Sequence, residues 1–234
     1  MALEDFTNYE VTADEGSDLT IAANSITWTT LPSSAVDAHV GTLKGSGYFD
    51  ESFQANFKVS ASRMDNTVNQ ACPCFTNSAG NYRTAINNAE NLAVCAVIDD
   101  ERYFILRTYV GGAVDVNALF TGFTLTTDYF ITINYTKGGP GAIEGVWAMK
   151  IATGAYHADG GTLVDTLNGT TETAATYDYL YGFSSYDIPL YATKLSTGII
   201  SNLEISGDGY EEDDWPCPIG RSRQLFSPLR RCRV

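Results

Sequence analysis

Positive charge is scarce in this chain. Its 234 residues carry 28 Asp and Glu against 14 Lys and Arg, with only 2 His, for a net charge of −14. The deficit lies wholly in residues 1–207, which hold 23 acidic and 9 basic side chains; residues 208–234 hold 5 of each. A body this acidic repels phosphate, which argues against nucleic-acid binding by residues 1–207. Long apolar runs are missing too: no stretch approaches the roughly 20 residues that cross a bilayer. Met1-Ala2-Leu3-Glu4-Asp5 has neither the basic nor the apolar segment of a secretory leader. The expectation is synthesis in a cytosol and no membrane partner. Cysteine is sparse and odd in number (72, 74, 95, 217 and 232). Cys72-Pro73-Cys74 is too tight for usual zinc spacing, so unliganded thiols are expected, with a Cys217–Cys232 bridge as the alternative for the C-terminal segment. Helical periodicity is absent except for one short turn within 82–90.

What is present is β texture. Ser25 to Leu31 alternates and stops at Pro32, with Trp28 expected in the core. Phe53, Ala55, Phe57 and Val59 share one face of the stretch Ser52 to Val59. Leu92 to Ile98 and Arg102 to Val110 flank Asp99-Asp100, a hairpin signal. Gly111-Gly112 makes the next turn. Further strands are expected over Val36 to Leu43, Tyr129 to Thr136, Val146 to Ile151, Thr162 to Leu167, Tyr177 to Phe183 and Ile199 to Ile205. About ten strands at this spacing give an all-β antiparallel sandwich or jelly roll. The reading is one domain over 1–207 and an extended C-terminal arm over 208–234.

The order of these strands resembles the concanavalin A-like lectin/glucanase superfamily in its laminin-G-like and viral forms. The resemblance is carried by Tyr48-Phe49-Asp50-Glu51-Ser52-Phe53-Gln54-Ala55-Asn56-Phe57, the hairpin Ala93 to Leu106, Asp128 to Tyr135, Leu163 to Leu167, and Thr197-Gly198-Ile199-Ile200-Ser201-Asn202-Leu203-Glu204-Ile205. It covers roughly residues 3–206 and implies two packed sheets, one concave. It permits calcium, for which Asp14-Glu15 and Asp159-Gly160-Gly161 offer oxygens; otherwise no cofactor is implied, and whether a metal binds is left open.

Catalytic signatures are few. A retaining glucanase needs two carboxylates about 5 Å apart, and no Glu here starts a Glu-x-Asp-x-(x)-Glu strand. Asp99-Asp100-Glu101 reads as a solvated turn. A Ser/His/Asp hydrolase would need His39 or His157, but no Gly-x-Ser-x-Gly elbow or His-Glu-x-x-His is present. Gly138-Gly139-Pro140-Gly141 lacks the Gly-Lys-Ser/Thr of a phosphate loop. The body is therefore expected to be catalytically silent. Loop residues Tyr186, Asp187 and Tyr191 are the candidate glycan contacts, since loops carry binding on such scaffolds. The row Tyr177, Tyr179, Tyr181 and Phe183 is expected to face the core.

After Ile205 come an acidic run, Asp208 to Asp214, and a basic tail. Blocks of opposite charge at a terminus suit partner contact. Trp215, Leu225, Phe226 and Leu229 supply apolar anchors, and Arg221, Arg223, Arg230 and Arg231 supply charge. The reading is a non-enzymatic structural or adhesion subunit at the surface of a virion or extracellular assembly, such as a capsid decoration or fibre-type protein. It would be homo-oligomeric and held to other subunits by this arm, with a glycan as a further ligand. The alternatives are a carbohydrate-active enzyme of glucanase or lyase type on the same fold, and a free calcium-dependent lectin.

Overall fold

The computed structural model describes residues 1–32, 37–46, 48–49, 51–65, 68–99, 103–138, 145–171, 177–185 and 193–206. They build two antiparallel sheets packed face to face. The first runs in the order β13 (Thr162–Thr171), β12 (Gly145–Thr153), β11 (Tyr129–Lys137), β6 (Phe53–Met64), β15 (Leu195–Ser206), β4 (Ser25–Pro32), β3 (Leu19–Ala22), with the short β1 (Ala2–Leu3) paired to β15. The second runs β10 (Ala113–Phe120), β9 (Tyr103–Val110), β8 (Leu92–Asp99), β7 (Val68–Thr76), β14 (Tyr179–Ser185), β5 (Ala38–Leu43), β2 (Val11–Asp14).

Period-two patterning explains β6. Phe53, Ala55, Phe57, Val59 and Ala61 all enter the core between the sheets, while Gln54, Asn56 and Lys58 take the opposite face. Rings lock the sheets together. Phe53 meets Phe49, Phe75, Tyr135 and Trp147 at centroid distances of 5.0, 4.9, 5.4 and 5.8 Å. Trp28 of β4 stacks on Phe183 of β14 at 4.8 Å. A buried polar link crosses the same interior, where Gln70 Nε2 donates to Ser196 Oγ at 2.9 Å. At one flank Gly169 of β13 lies so close to Val116 of β10 that a Cβ there would collide with it.

Besides the short β1, β2 and β3, two longer strands run through sequence that does not advertise them. β7 occupies the middle of its sheet although it contains Pro73, which has no N–H for the ladder. The register shifts between Ala71 and Cys74, and this irregularity accommodates the proline. β10 carries a similar shift between Val114 and Asn117. The turn before it uses Gly111 and Gly112 at φ 57° and 77°, backbone that glycine adopts freely.

The aromatic row of β14 departs from the expected alternation. A register shift between Tyr181 and Phe183 turns the strand, so Phe183 joins Leu180 in the core between the sheets, where Tyr177, ahead of the strand, also lies. Tyr181 instead packs outward into a second apolar cluster with Ala71, Cys74, Leu92, Val94 and Tyr109. That cluster is capped by α1 (Tyr82–Asn87) through Tyr82 and Ala85. The helix starts at Asn81, whose side chain accepts from Thr84 N at 2.7 Å, a standard N-cap.

Burial sets ionisation in two places. It pushes the Cys74 thiol well above the ordinary thiol range, with the neighbouring Cys72 adding to the shift. Thiol reagents near neutral pH should therefore leave Cys72 and Cys74 unmodified in the native protein and label both in urea, as read by peptide mass mapping. Burial also raises the phenols of Tyr9 and Tyr177 far above 10, with Glu4's charge and hydrogen bond adding to the shift of Tyr9. The unfolded chain loses these protons as pH rises through about 10, whereas the folded chain keeps them. Their contribution to stability is thus complete below pH 10 and falls above it. Thermal unfolding followed from about pH 9 to pH 11 should show the midpoint dropping, more steeply than in Tyr177→Phe.

Candidate functional site

The outer face of the second sheet carries the one histidine–carboxylate pair among the described residues. β5 begins beside Asp37, and alternation places Asp37 and His39 on the same face. His39 Nδ1 lies 2.8 Å from Asp37 Oδ1. That carboxylate oxygen also accepts from Asn81 Nδ2 at 3.0 Å. The arrangement favours the His39 tautomer with a proton on Nδ1 and a lone pair on Nε2, the form that accepts a proton. His39 is mostly covered, at 6 % exposure.

Tyrosines complete the group. The Tyr181 ring meets His39 edge-on at 5.7 Å and stacks with half-buried Tyr179 at 6.4 Å. Gly41, opposite Tyr181 in the ladder, leaves room for this ring; a Cβ there would overlap it. The Tyr181 hydroxyl accepts from Gly80 N at 2.8 Å, and Ser184 Oγ accepts from Tyr82 N at 2.9 Å. These bonds, with Asn81 on Asp37, fasten the start of α1 to β14 and β5. Burial raises the Tyr181 phenol well above its ordinary value. Tyr179 is the more accessible hydroxyl. Chemically, the site offers an oriented imidazole, a phenol and an amide within one patch, and a single carboxylate engaged in holding the imidazole.

The sequence flagged His39 without its partners. The Asp37-x-His39 spacing on a strand was the available signal; Asn81, Ser184 and the role of Tyr181 depend on α1 folding back from elsewhere in the chain. His157 stands apart in a 3-10 turn, His157–Asp159, with Nδ1 3.5 Å from Gly161 O. Asp14 spends its oxygens on the backbone N–H groups of Asp18 and Leu19, at 2.8–3.3 Å, closing the turn between β2 and β3. Among the described residues no three His, Cys, Asp or Glu gather as a metal centre. Tyr186, Asp187 and Tyr191, the expected glycan contacts, lie outside the described residues, as do Asp100, Glu101 and the arm with Trp215, Arg221, Arg223, Leu225, Phe226, Leu229, Arg230 and Arg231.

No family model matches the chain, and no curated protein matches it in sequence. Solved structures do match in fold. A family 7 alginate lyase, A1-II′, superposes with a TM-score of 0.56 at 11% identity, covering 89% of this chain and 100% of its own. A PL-14 alginate lyase from Aplysia kurodai gives 0.55 at 9% identity, covering 83% and 88%. A legume lectin-like domain from Entamoeba histolytica gives 0.53 at 10% identity, covering 87% and 91%. The expectation of a catalytically silent body is thereby corrected, because several neighbours on this fold are enzymes. Its premise was too narrow: a missing paired-carboxylate strand argues against glycoside hydrolysis, whereas elimination chemistry needs a proton acceptor and a proton donor. The chain has the concanavalin A-like β-sandwich fold, which these lyases and this lectin-like domain share.

Proposed function

We propose that this protein is carbohydrate-active and cleaves a uronate-containing polysaccharide by β-elimination on the outer face of its second sheet. The observation that carries the reading is the His39–Asp37 pair set against Tyr181 and Tyr179. In this reaction the base takes the proton on the carbon next to the uronate carboxyl. The electron pair forms a double bond to the adjacent ring carbon, and the glycosidic oxygen leaves from that carbon with a proton. His39 Nε2 is the proton acceptor, held by Asp37. The Tyr179 hydroxyl is the donor to the leaving oxygen. Asn81, already bonded to Asp37, is the neutral group beside them.

A panel of uronate polymers should yield product with the ultraviolet absorbance of an unsaturated uronate end. The acidic body repels such a polymer at long range. Turnover at limiting substrate should therefore rise as the screening length shortens from about 30 Å in 0.01 M salt to about 8 Å in 0.15 M. If the panel gives no product, the elimination reading is lost. The lectin-like neighbour supports a second reading, in which the same face binds glycan without turnover; saturable binding without product would mark it.

A further inference from the structure

Among the described residues, carboxylates pair with Lys44 through Glu4, Lys58 through Asp128, Arg63 through Asp65 and Lys137 through Glu51. Arg107 is held differently. It lies in the middle of β9, half-buried. Its Nε donates to Asn117 Oδ1 at 2.8 Å, and Nη1 donates to the Tyr109 hydroxyl at 3.5 Å. Both partners are neutral. They orient the guanidinium without cancelling its charge, and they leave the Nη2 donors unspent. A planar guanidinium with free donors recognises a carboxylate better than any other side chain. In a chain of net charge −14, a cation with no carboxylate partner among the described residues is conspicuous.

Its position relates it to the candidate site. Arg107 pairs with Val94, Val94 with Cys74, and Cys74 with Tyr181. Three strand spacings, about 14 Å, therefore separate the Arg107 and Tyr181 backbones. Tyr109, which Arg107 contacts, belongs to the outward cluster that also contains Tyr181. α1 stands over the strands between them, so a polymer joining the two ends must pass across the helix. Leu119, two residues beyond Asn117 on β10, is 42% exposed and adds an apolar surface beside the cation.

We propose that Arg107 is a distal carboxylate-binding subsite for an acidic polysaccharide, engaging a uronate several sugar units from the residue held at His39. This rests on reading the second sheet's outer face as the glycan face. The test uses the full chain, a long uronate polymer, a short oligomer of it and a neutral polymer, with binding followed by calorimetry alongside product formation. Arg107→Ala should weaken the long uronate polymer about tenfold, the size of a lost charged hydrogen bond. Affinity for the neutral polymer and for the short oligomer should stay unchanged. Arg107→Lys should restore only part of the loss, because an ammonium lacks the fork. Unchanged affinity in Arg107→Ala, equal weakening toward acidic and neutral polymers, or no binding of the uronate polymer by the wild type would each overturn the subsite. The two readings fail separately. Arg107-dependent binding without product keeps the subsite and removes the elimination reading; product formed with the same KM in Arg107→Ala does the reverse.

Discussion

Phe53→Ala should cost the fold about 3–5 kcal/mol, the usual range for deleting a buried aromatic ring. Phe53 is 1% exposed and contacts four other rings, drawn from β6's own approach loop, β7, β11 and β12. Its removal leaves a void bounded by both sheets, and the rigid rings around it cannot collapse to fill the space. Against a typical total of 5–15 kcal/mol, the loss consumes a large share of stability. Urea unfolding should show a much lower midpoint with little change in slope. A shift below about 1 kcal/mol would mean that the aromatic cluster repacks and is not the keystone of the sandwich.

His39→Ala should reduce turnover by a factor of about 10²–10⁴, the usual contribution of a positioned base. Because His39 is largely covered, folding must be separated from chemistry. His39→Gln, which retains an amide able to donate to Asp37, should unfold close to the wild type and be equally inactive. Asp37→Asn should lose less than the histidine variants and should alter the pH profile, because it acts only by holding the imidazole tautomer. Full turnover in His39→Gln would remove His39 from the chemistry and leave it as part of the clamp on α1.

Most of the architecture could be read from alternation, and the failures have local causes. Phe53 to Val59 behaves as written, because one face is apolar and nothing interrupts the period; Ser25 to Pro32 does so only as far as Trp28, where a bulge with Thr30 at φ 52° brings Leu31 into the core. β7 escaped because Pro73 sits inside it, and β10 because its register shifts midway. Tyr181 and Phe183 part company for a like reason: the irregularity between them sets on opposite faces two residues that strict alternation places on one. The candidate site was half legible. Asp37 and His39 share a strand, so their spacing is a local signal. Asn81 and Tyr181 join them only through tertiary packing of α1, which no local pattern encodes.

The position of β15 has a consequence for biosynthesis. This strand lies between β6 and β4, and β14 lies likewise between β7 and β5. Each sheet therefore holds an open slot in its interior until nearly all of residues 1–206 have left the ribosome. At about 5–20 residues per second, roughly ten seconds pass between the emergence of β6 and that of β15. Throughout that interval the β6 edge that pairs with β15 has no native partner. Nascent chains of this protein should thus be clients of holding chaperones until the final strand slides into place.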